Sequence, residues 1–591
     1  MKPRSFSSLL IAAIAVPVVL GLVIFIWVTS HSPLNLLKGS PHPTPSATIF
    51  VPKDAPVVAS LLVNPDRLVA LRQAVIPSQQ RRHAQDELTQ LRQGLLAGID
   101  YEHQIKPWLG EELTLAVTNL DLDRDQTTGA QPGYLMVLTT QDAQRSREFL
   151  QLFWQKRAVS PQNLILEQYK GTQLIYGKIQ QATPQPSIAP MTLASAVVGD
   201  RYVLFANSPK VLKNSISNVQ AVDLNLSSSA TYQQAIAGLT QPRLGLIYSN
   251  LPQLAKLAGD ASIQAQLLDL GQKPAVTYQA AAIGLGADRQ GLVAETALIP
   301  PEPIGTSAEP PLSHPVEALH YIPANSTIVA AGIHLDQVSD QLRQTVKGYG
   351  KVTQLVDKAI QQWSDRAQVN LAKEIFNWVD GEYAVALLPQ SGGSASNPSH
   401  QRSAKSNLRS QENALSTQHQ DWVFIVDRSR HANIQTHIDQ LDGLAKQQGL
   451  TLGMVQLRQQ TVTAWTKLAT QGKSADALQA QAIGAHTTVG SYEIFASSLE
   501  TLDQVLAQTN MRIDQSKAFK AAIAPLQPNN HGYLYLDWKT AQPLLAAQVP
   551  GFRFVELVAG SWLEGLRSVT VSHYGTEAEV ERGGVFLRWG T

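Results

Sequence analysis

The chain has 591 residues, 44% hydrophobic and 16% charged, with a net charge of +1. That length allows about four domains of roughly 150 residues, and the near-zero charge excludes a basic field that draws a chain to nucleic acid or anionic lipid. There is no cysteine, which excludes disulfides, zinc-thiolate sites, iron–sulfur clusters, thiol catalysis and lipoprotein processing.

Residues 9–29 read LLIAAIAVPVVLGLVIFIWVT without a charge. As a helix they span roughly 30 Å, the hydrocarbon thickness of a bilayer. Lys2 and Arg4 lie in the preceding segment, 1–8, so the positive-inside rule keeps the N-terminus in the cytoplasm and exports the rest. Trp27 stands near the outer end, as interfacial aromatics do. A cleaved signal peptide is the weaker reading, because the run exceeds the usual h-region and no small-x-small cleavage site follows it. Residues 30–46 are rich in Pro and Ser and predict a semi-extended tether.

The rest of the chain repeats itself. Phe50-Val51-Pro52 and the apolar run 57–63 return as Tyr321-Ile322-Pro323 and 328–333. Ile105, Trp108 and Glu112 return as Ile375, Trp378 and Glu382. Residues 204–208 return as 494–498, and 229–248 lies without a gap on 516–535. A duplication of this length sets the architecture before any local reading. It predicts a first unit at 47–300, a Pro-rich linker at 301–315 and a second unit at 316–591. Residues 390–420 are polar and low in complexity, without a counterpart in the first unit, and predict a disordered insertion.

Each unit has the same grammar. A strand at 57–63 (328–333) leads to a long amphipathic helix, covering roughly 66–96 in the first unit. Strands follow at 113–117 (383–388) and 134–139 (422–427), then a helix at 143–156 (431–448). A strand pair at 173–176 and 202–206 (462–465 and 492–496) precedes short helices and a strand at 244–248 (532–536). Each unit ends in a hairpin, 276–286 with 292–298 and 568–574 with 579–587. Strands and helices mixed without βαβ alternation predict an α+β fold: a transmembrane helix followed by two tandem homologous units, each with a mostly antiparallel sheet packed by helices.

The candidate sites are weak. Gly284-Leu285-Gly286 with Gly291 has the wrong spacing for a dinucleotide loop and lacks the helix such a loop needs, so a hairpin explains it better. Asp121, Asp123 and Asp125 resemble half of a calcium loop. Gln126 stands where that loop needs glycine and Pro132 where it needs its last carboxylate, which favours a solvated loop. Gly560-Ser561-Trp562 has Leu563 in place of the second glycine of a nucleophile elbow. The fourteen histidines form no close metal-binding pair, and His334 and His486 read as structural. The matched Trp108 and Trp378 are expected as core anchors rather than the floor of an aromatic pocket. Glu112 and Glu382 are expected to cap backbone N–H groups or pair with a base, since catalysis needs a second carboxylate that cannot be placed.

The anchor, the tether, ATIFVPKDAPVVASLLVNPDRL, IKPWLGEELTLAV and ASAVVGDRYVLFANSP together resemble DUF3352, a family of membrane-anchored bacterial envelope proteins frequent in cyanobacteria. The resemblance covers nearly all of the exported part and implies a single-pass protein of the plasma or thylakoid membrane. It implies no activity, so no catalytic, cofactor-binding or metal-binding residue is assigned, and no cofactor is expected. The expected function is a non-enzymatic binding or scaffolding module on the periplasmic side. Its partners would be the membrane and other envelope proteins, with no nucleic acid. A carrier or sensor of an apolar ligand and a hydrolase without a recognisable motif are the alternatives.

Overall fold

The computed structural model describes residues 44–63, 101–123, 131–157, 164–179, 191–258, 278–301, 311–336, 375, 378–389, 421–430, 433–470, 478–507, 511–548 and 565–589. The apolar segment 9–29, most of the tether, the expected helix 66–96, the 390–420 insertion, Asp125 and Gly560-Ser561-Trp562 lie outside them. No helix among the described residues is long and apolar enough to cross a membrane.

The fold is mixed α+β with antiparallel strand pairing, and the chain divides into two compact units. The first contains β1 (Val57–Leu61), β2 (Leu109–Asn119), β3 (Gly133–Thr140), β4 (Ile165–Tyr169), β5 (Thr172–Ile179), β6 (Met191–Val198), β7 (Tyr202–Ala206), β8 (Gly245–Asn250), β9 (Ala280–Asp288) and β10 (Gly291–Ile299). Their order in the sheet is β4-β5-β6-β7-β3-β2-β1-β8-β9-β10. Its helices are α1 (Ala143–Arg157), α2 (Pro209–Gln220), α3 (Ala230–Ala237) and α4 (Leu251–Ala258).

The second contains β11 (Ile328–Ile333), β12 (Glu382–Leu387), β13 (Trp422–Asp427), α5 (Ile434–Gln447), β14 (Thr451–Leu457), β15 (Gln460–Thr470), β16 (Leu478–Val489) and β17 (Tyr492–Ala496). It continues through α6 (Leu499–Leu506), α7 (Lys517–Ile523), β18 (Gly532–Asp537), α8 (Trp538–Gln548) and β19 (Leu566–Glu577). The order β14-β15-β16-β17-β13-β12-β11-β18-β19 repeats that of the first unit strand for strand.

Local devices repeat with the topology. Ser208 and Ser498 accept backbone N–H bonds at the starts of α2 and α6, and Ser229 and Ser516 do so for α3 and α7, satisfying donors that a helix start leaves unpaired. Phe50 packs edge-on to Tyr202 as Tyr321 packs against Tyr492. One ion pair is kept with its polarity reversed. Lys213 on α2 meets Glu167 on β4, and Asp503 on α6 meets Arg458 beside β14.

Each sheet is buried on both faces. In the first unit, one face packs Phe50, Leu204, Leu212, Ile216 and Tyr232. The other packs Trp108, Phe149, Leu150 and Phe205 under α1. In the second, the same faces hold Ile322, Ile494, Leu502 and Phe519, and Trp378, Ile438, Leu441 and Phe495 under α5. Two-sided burial explains why β7, Tyr-Val-Leu-Phe-Ala, reads as a continuous apolar run rather than an alternating one.

Two features differ from the sequence expectation. β4, β6, β14 and β16 were not anticipated. The last strand, β20 (Val580–Trp589), forms the expected hairpin with β19, but the first compact unit takes in the chain from Tyr574 onward, and there β20 also pairs antiparallel with β10 from Gly291↔Arg588 to Leu298↔Glu581. The backbone of Leu587 passes so close to Gly291 that a Cβ would overlap its carbonyl oxygen. Gly286 is likewise closed in, a Cβ there lying 2.6 Å from the oxygen of Pro242. These glycines serve close backbone approach inside a sheet; the hairpin turn itself is formed by residues between β9 and β10.

Candidate functional site

The residues matched between the halves form structure. Trp108 and Trp378 are both buried. The indole N–H of Trp108 donates to the oxygen of Gln104 at 2.7 Å and its ring lies against Phe149. Trp378 stacks on His437, with ring planes 5° apart. These contacts fix both rings as core anchors.

Glu112 and Glu382 cap turns. The Glu112 carboxylate accepts from the backbone N–H and hydroxyl of Ser46 and from the N–H of Ala47 at 2.6–2.8 Å. It thereby closes the 3-10 turn Ser46–Phe50, whose own N-cap position supplies no side-chain bond. Glu382 accepts from the N–H of Glu317 and Ala318 at the start of the 3-10 turn Glu317–Tyr321, and from the Tyr492 hydroxyl. Burial, followed by the Glu382 charge, pushes the Tyr492 phenol far above its ordinary range. A carboxylate at a helical N-terminus meets both the unpaired N–H groups and the positive end of the dipole. Glu112→Ala and Glu382→Ala each leave such donors unsatisfied, and each is expected to cost about 1–3 kcal/mol in urea unfolding.

The remaining expected sites do not assemble. Asp121 accepts from the N–H of Gln131 and helps close the loop between β2 and β3. His334 lies just past the end of β11 with φ 59°, its Nδ1 3.7 Å from an Asp336 oxygen. Among the described residues, no group of three or more His, Asp or Glu side chains is arranged to hold a metal ion.

One buried polar cluster is one that sequence reasoning found only in part. His486 on β16 is buried, and its ring lies beside Phe495 and Trp465. Its Nδ1 is 2.7 Å from Glu493 and its Nε2 is 3.3 Å from Asp442. Glu493, 2% exposed, also accepts from Arg428 and from the Thr488 hydroxyl. Asp442 accepts from the Trp465 indole. The reading of His486 as a satisfied histidine is correct. Its partners were not legible because they lie on α5, on β17 and just past β13.

Among the described residues, the first unit has no such cluster. Trp154 on α1 donates to Ser195 where Asp442 meets His486, and Val203 stands where Glu493 stands. Among the described residues the ionic group is thus found in the second unit, and it carries a desolvation cost that the neutral Trp154–Ser195 pair avoids.

Its chemistry is restricted. The two carboxylates sit at opposite nitrogens of one ring, so they cannot close together on a single ion. Both imidazole nitrogens are engaged by these carboxylates. The Glu493 carboxyl feels two opposed effects. Burial, the largest, raises its pKa, but hydrogen bonds from His486, Thr488 and Arg428 together outweigh it and hold the group below its usual 4.5. A depressed carboxyl adds stability above its unfolded value and loses it as pH falls through the folded one. The second unit is therefore expected to lose stability as pH drops below about 4.5. Chemical unfolding of Glu493→Gln from pH 7 to 3 should show that part of the acid slope removed.

The family model for a protein of unknown function, DUF3352, matches residues 10–589, and the chain belongs to that family. No curated protein matches the chain. Among solved structures, TP0453 in its crystal form I is similar over 44% of this chain and 80% of its own, at 7% identity. With a TM-score of 0.23, that is too slight a likeness to define the fold.

Proposed function

We propose that the protein is a membrane-anchored envelope scaffold: a single apolar helix at 9–29 with the bulk of the chain exported, binding other envelope components without chemistry of its own. One observation carries the non-enzymatic reading. The polar residues kept in both halves, Glu112 and Glu382 with the serines at 208, 229, 498 and 516, are engaged in capping turns and helices. What the duplication retained is therefore a framework. The length and polarity of 9–29, with Lys2 and Arg4 before it, support the anchor. The absence of cysteine fits a folded exported part held by packing and hydrogen bonds.

The test is affinity capture with a tagged full chain gently solubilised from its native membrane. The reading expects the same envelope protein in independent preparations, lost when residues 47–591 are removed. Capture of nothing beyond the tag control contradicts it.

A further inference from the structure

We propose that a second copy of this chain docks on β14, so that the sheet of the second unit continues through a two-fold axis into its partner. β14 hydrogen-bonds to β15 on one side, and no other strand pairs with it among the described residues. Natural sheets guard such edges with charge, proline or a bulge. β14 reads Thr-Leu-Gly-Met-Val-Gln-Leu, with no charge and no proline, and its pairing to β15 is unbroken. It also displays apolar side chains: Met454 is 84% exposed and Val455 38%.

The choice of a second copy rests on self-complementarity. An extended partner adds to a sheet edge through main-chain bonds, with alternate side chains setting specificity. Two copies of one strand related by a two-fold axis are antiparallel by symmetry, and each meets the same patch on the other. Centred on Met454, the pairing sets Met454 against its copy and Val455 against Gly453. A Cβ on Gly453 would meet nothing within 4 Å, so there is room over it for the partner's valine. Val455 stands opposite the buried Val462 across the ladder, and the added pair therefore extends an existing apolar layer.

The corresponding edge of the first unit is built differently. Among the described residues β4 also pairs with one strand only, and it too exposes apolar residues, Ile165 and Leu166. However, its central residue is Glu167, held by Lys213 and Tyr176. Self-pairing of β4 would bring two glutamates face to face, which is destabilising. One edge is thus guarded by charge and the other is compatible with itself.

Because the chain contains no cysteine, Met454→Cys introduces one thiol per chain. Paired residues across an antiparallel ladder lie about 4.5–5.5 Å apart, within disulfide range. In mild detergent, the full-length wild type is expected to sediment as a dimer and Met454→Lys as a folded monomer. On gentle oxidation, Met454→Cys should form a disulfide dimer while Leu166→Cys remains largely single. The proposal is overturned by a monomeric wild type at about 100 μM, far above a micromolar Kd, by a dimer that survives Met454→Lys, or by equal cross-linking at both positions.

Discussion

Ending the chain after Glu577 is expected to unfold the first unit, although the deleted residues are the last of the sequence. The deletion removes β20, which pairs with β10 from Gly291 to Leu298. It also removes Phe586 and Val580, both buried in the folded chain, each contributing roughly 1.5–3 kcal/mol through burial. Glu295 on β10 would lose a partner as well. Its carboxylate, 2% exposed, accepts from Thr240, Gln241 and the guanidinium of Arg582. Removing one side of a buried ion pair costs about 3–5 kcal/mol because the other charge stays buried. The combined loss rivals the total stability of a typical domain, about 5–15 kcal/mol. Hydrogen exchange followed by peptide should show lost protection in β8, β9 and β10, with β11–β13 retained. The reverse pattern would contradict the placement of β20.

Trp108→Ala and Trp378→Ala form the second large pair. Each deletes a buried indole from the core under one helix, α1 or α5, and each is expected to cost about 3–5 kcal/mol. Trp108 loses an indole hydrogen bond and its contact with Phe149; Trp378 loses its stack on His437. Two variants of similar cost, each loosening its own unit, are what a duplicated core requires. The readout is urea unfolding combined with limited proteolysis of the two units. If either variant were neutral, that tryptophan would not be a core anchor.

Much of this framework was legible in the sequence. Runs buried on both faces, such as Ile328–Ile333 and Trp422–Asp427, stand out at any position and were placed to the residue. β4 and β14 were not, because their side chains are largely exposed and give neither an apolar run nor a clean alternation. The capping role of Glu112 and Glu382 was one of two options, and the turns that accept it decide between them. The crossing of β20 into the first unit was invisible, since its alternation serves either unit equally well. Gly291 carried the only local trace of it, and a glycine beside a hairpin reads first as a turn.

The His486 cluster shows where sequence reading of a site stops. Arg428, Asp442, His486 and Glu493 have no motif spacing, and they meet because a helix and three strand ends converge. Comparison of the halves is what isolates them, since the first unit fills the same place with Trp154, Ser195 and Val203.

The central claim, an anchored scaffold facing out of the cytoplasm, is tested most directly by topology. With no native cysteine, a full chain carrying Lys53→Cys, an exposed position of the first unit, offers one thiol to a membrane-impermeant maleimide. Labelling in intact spheroplasts, with the chain remaining in the membrane pellet after alkaline washing, is the predicted result. Labelling only after lysis, or release of the chain into the wash, would contradict it.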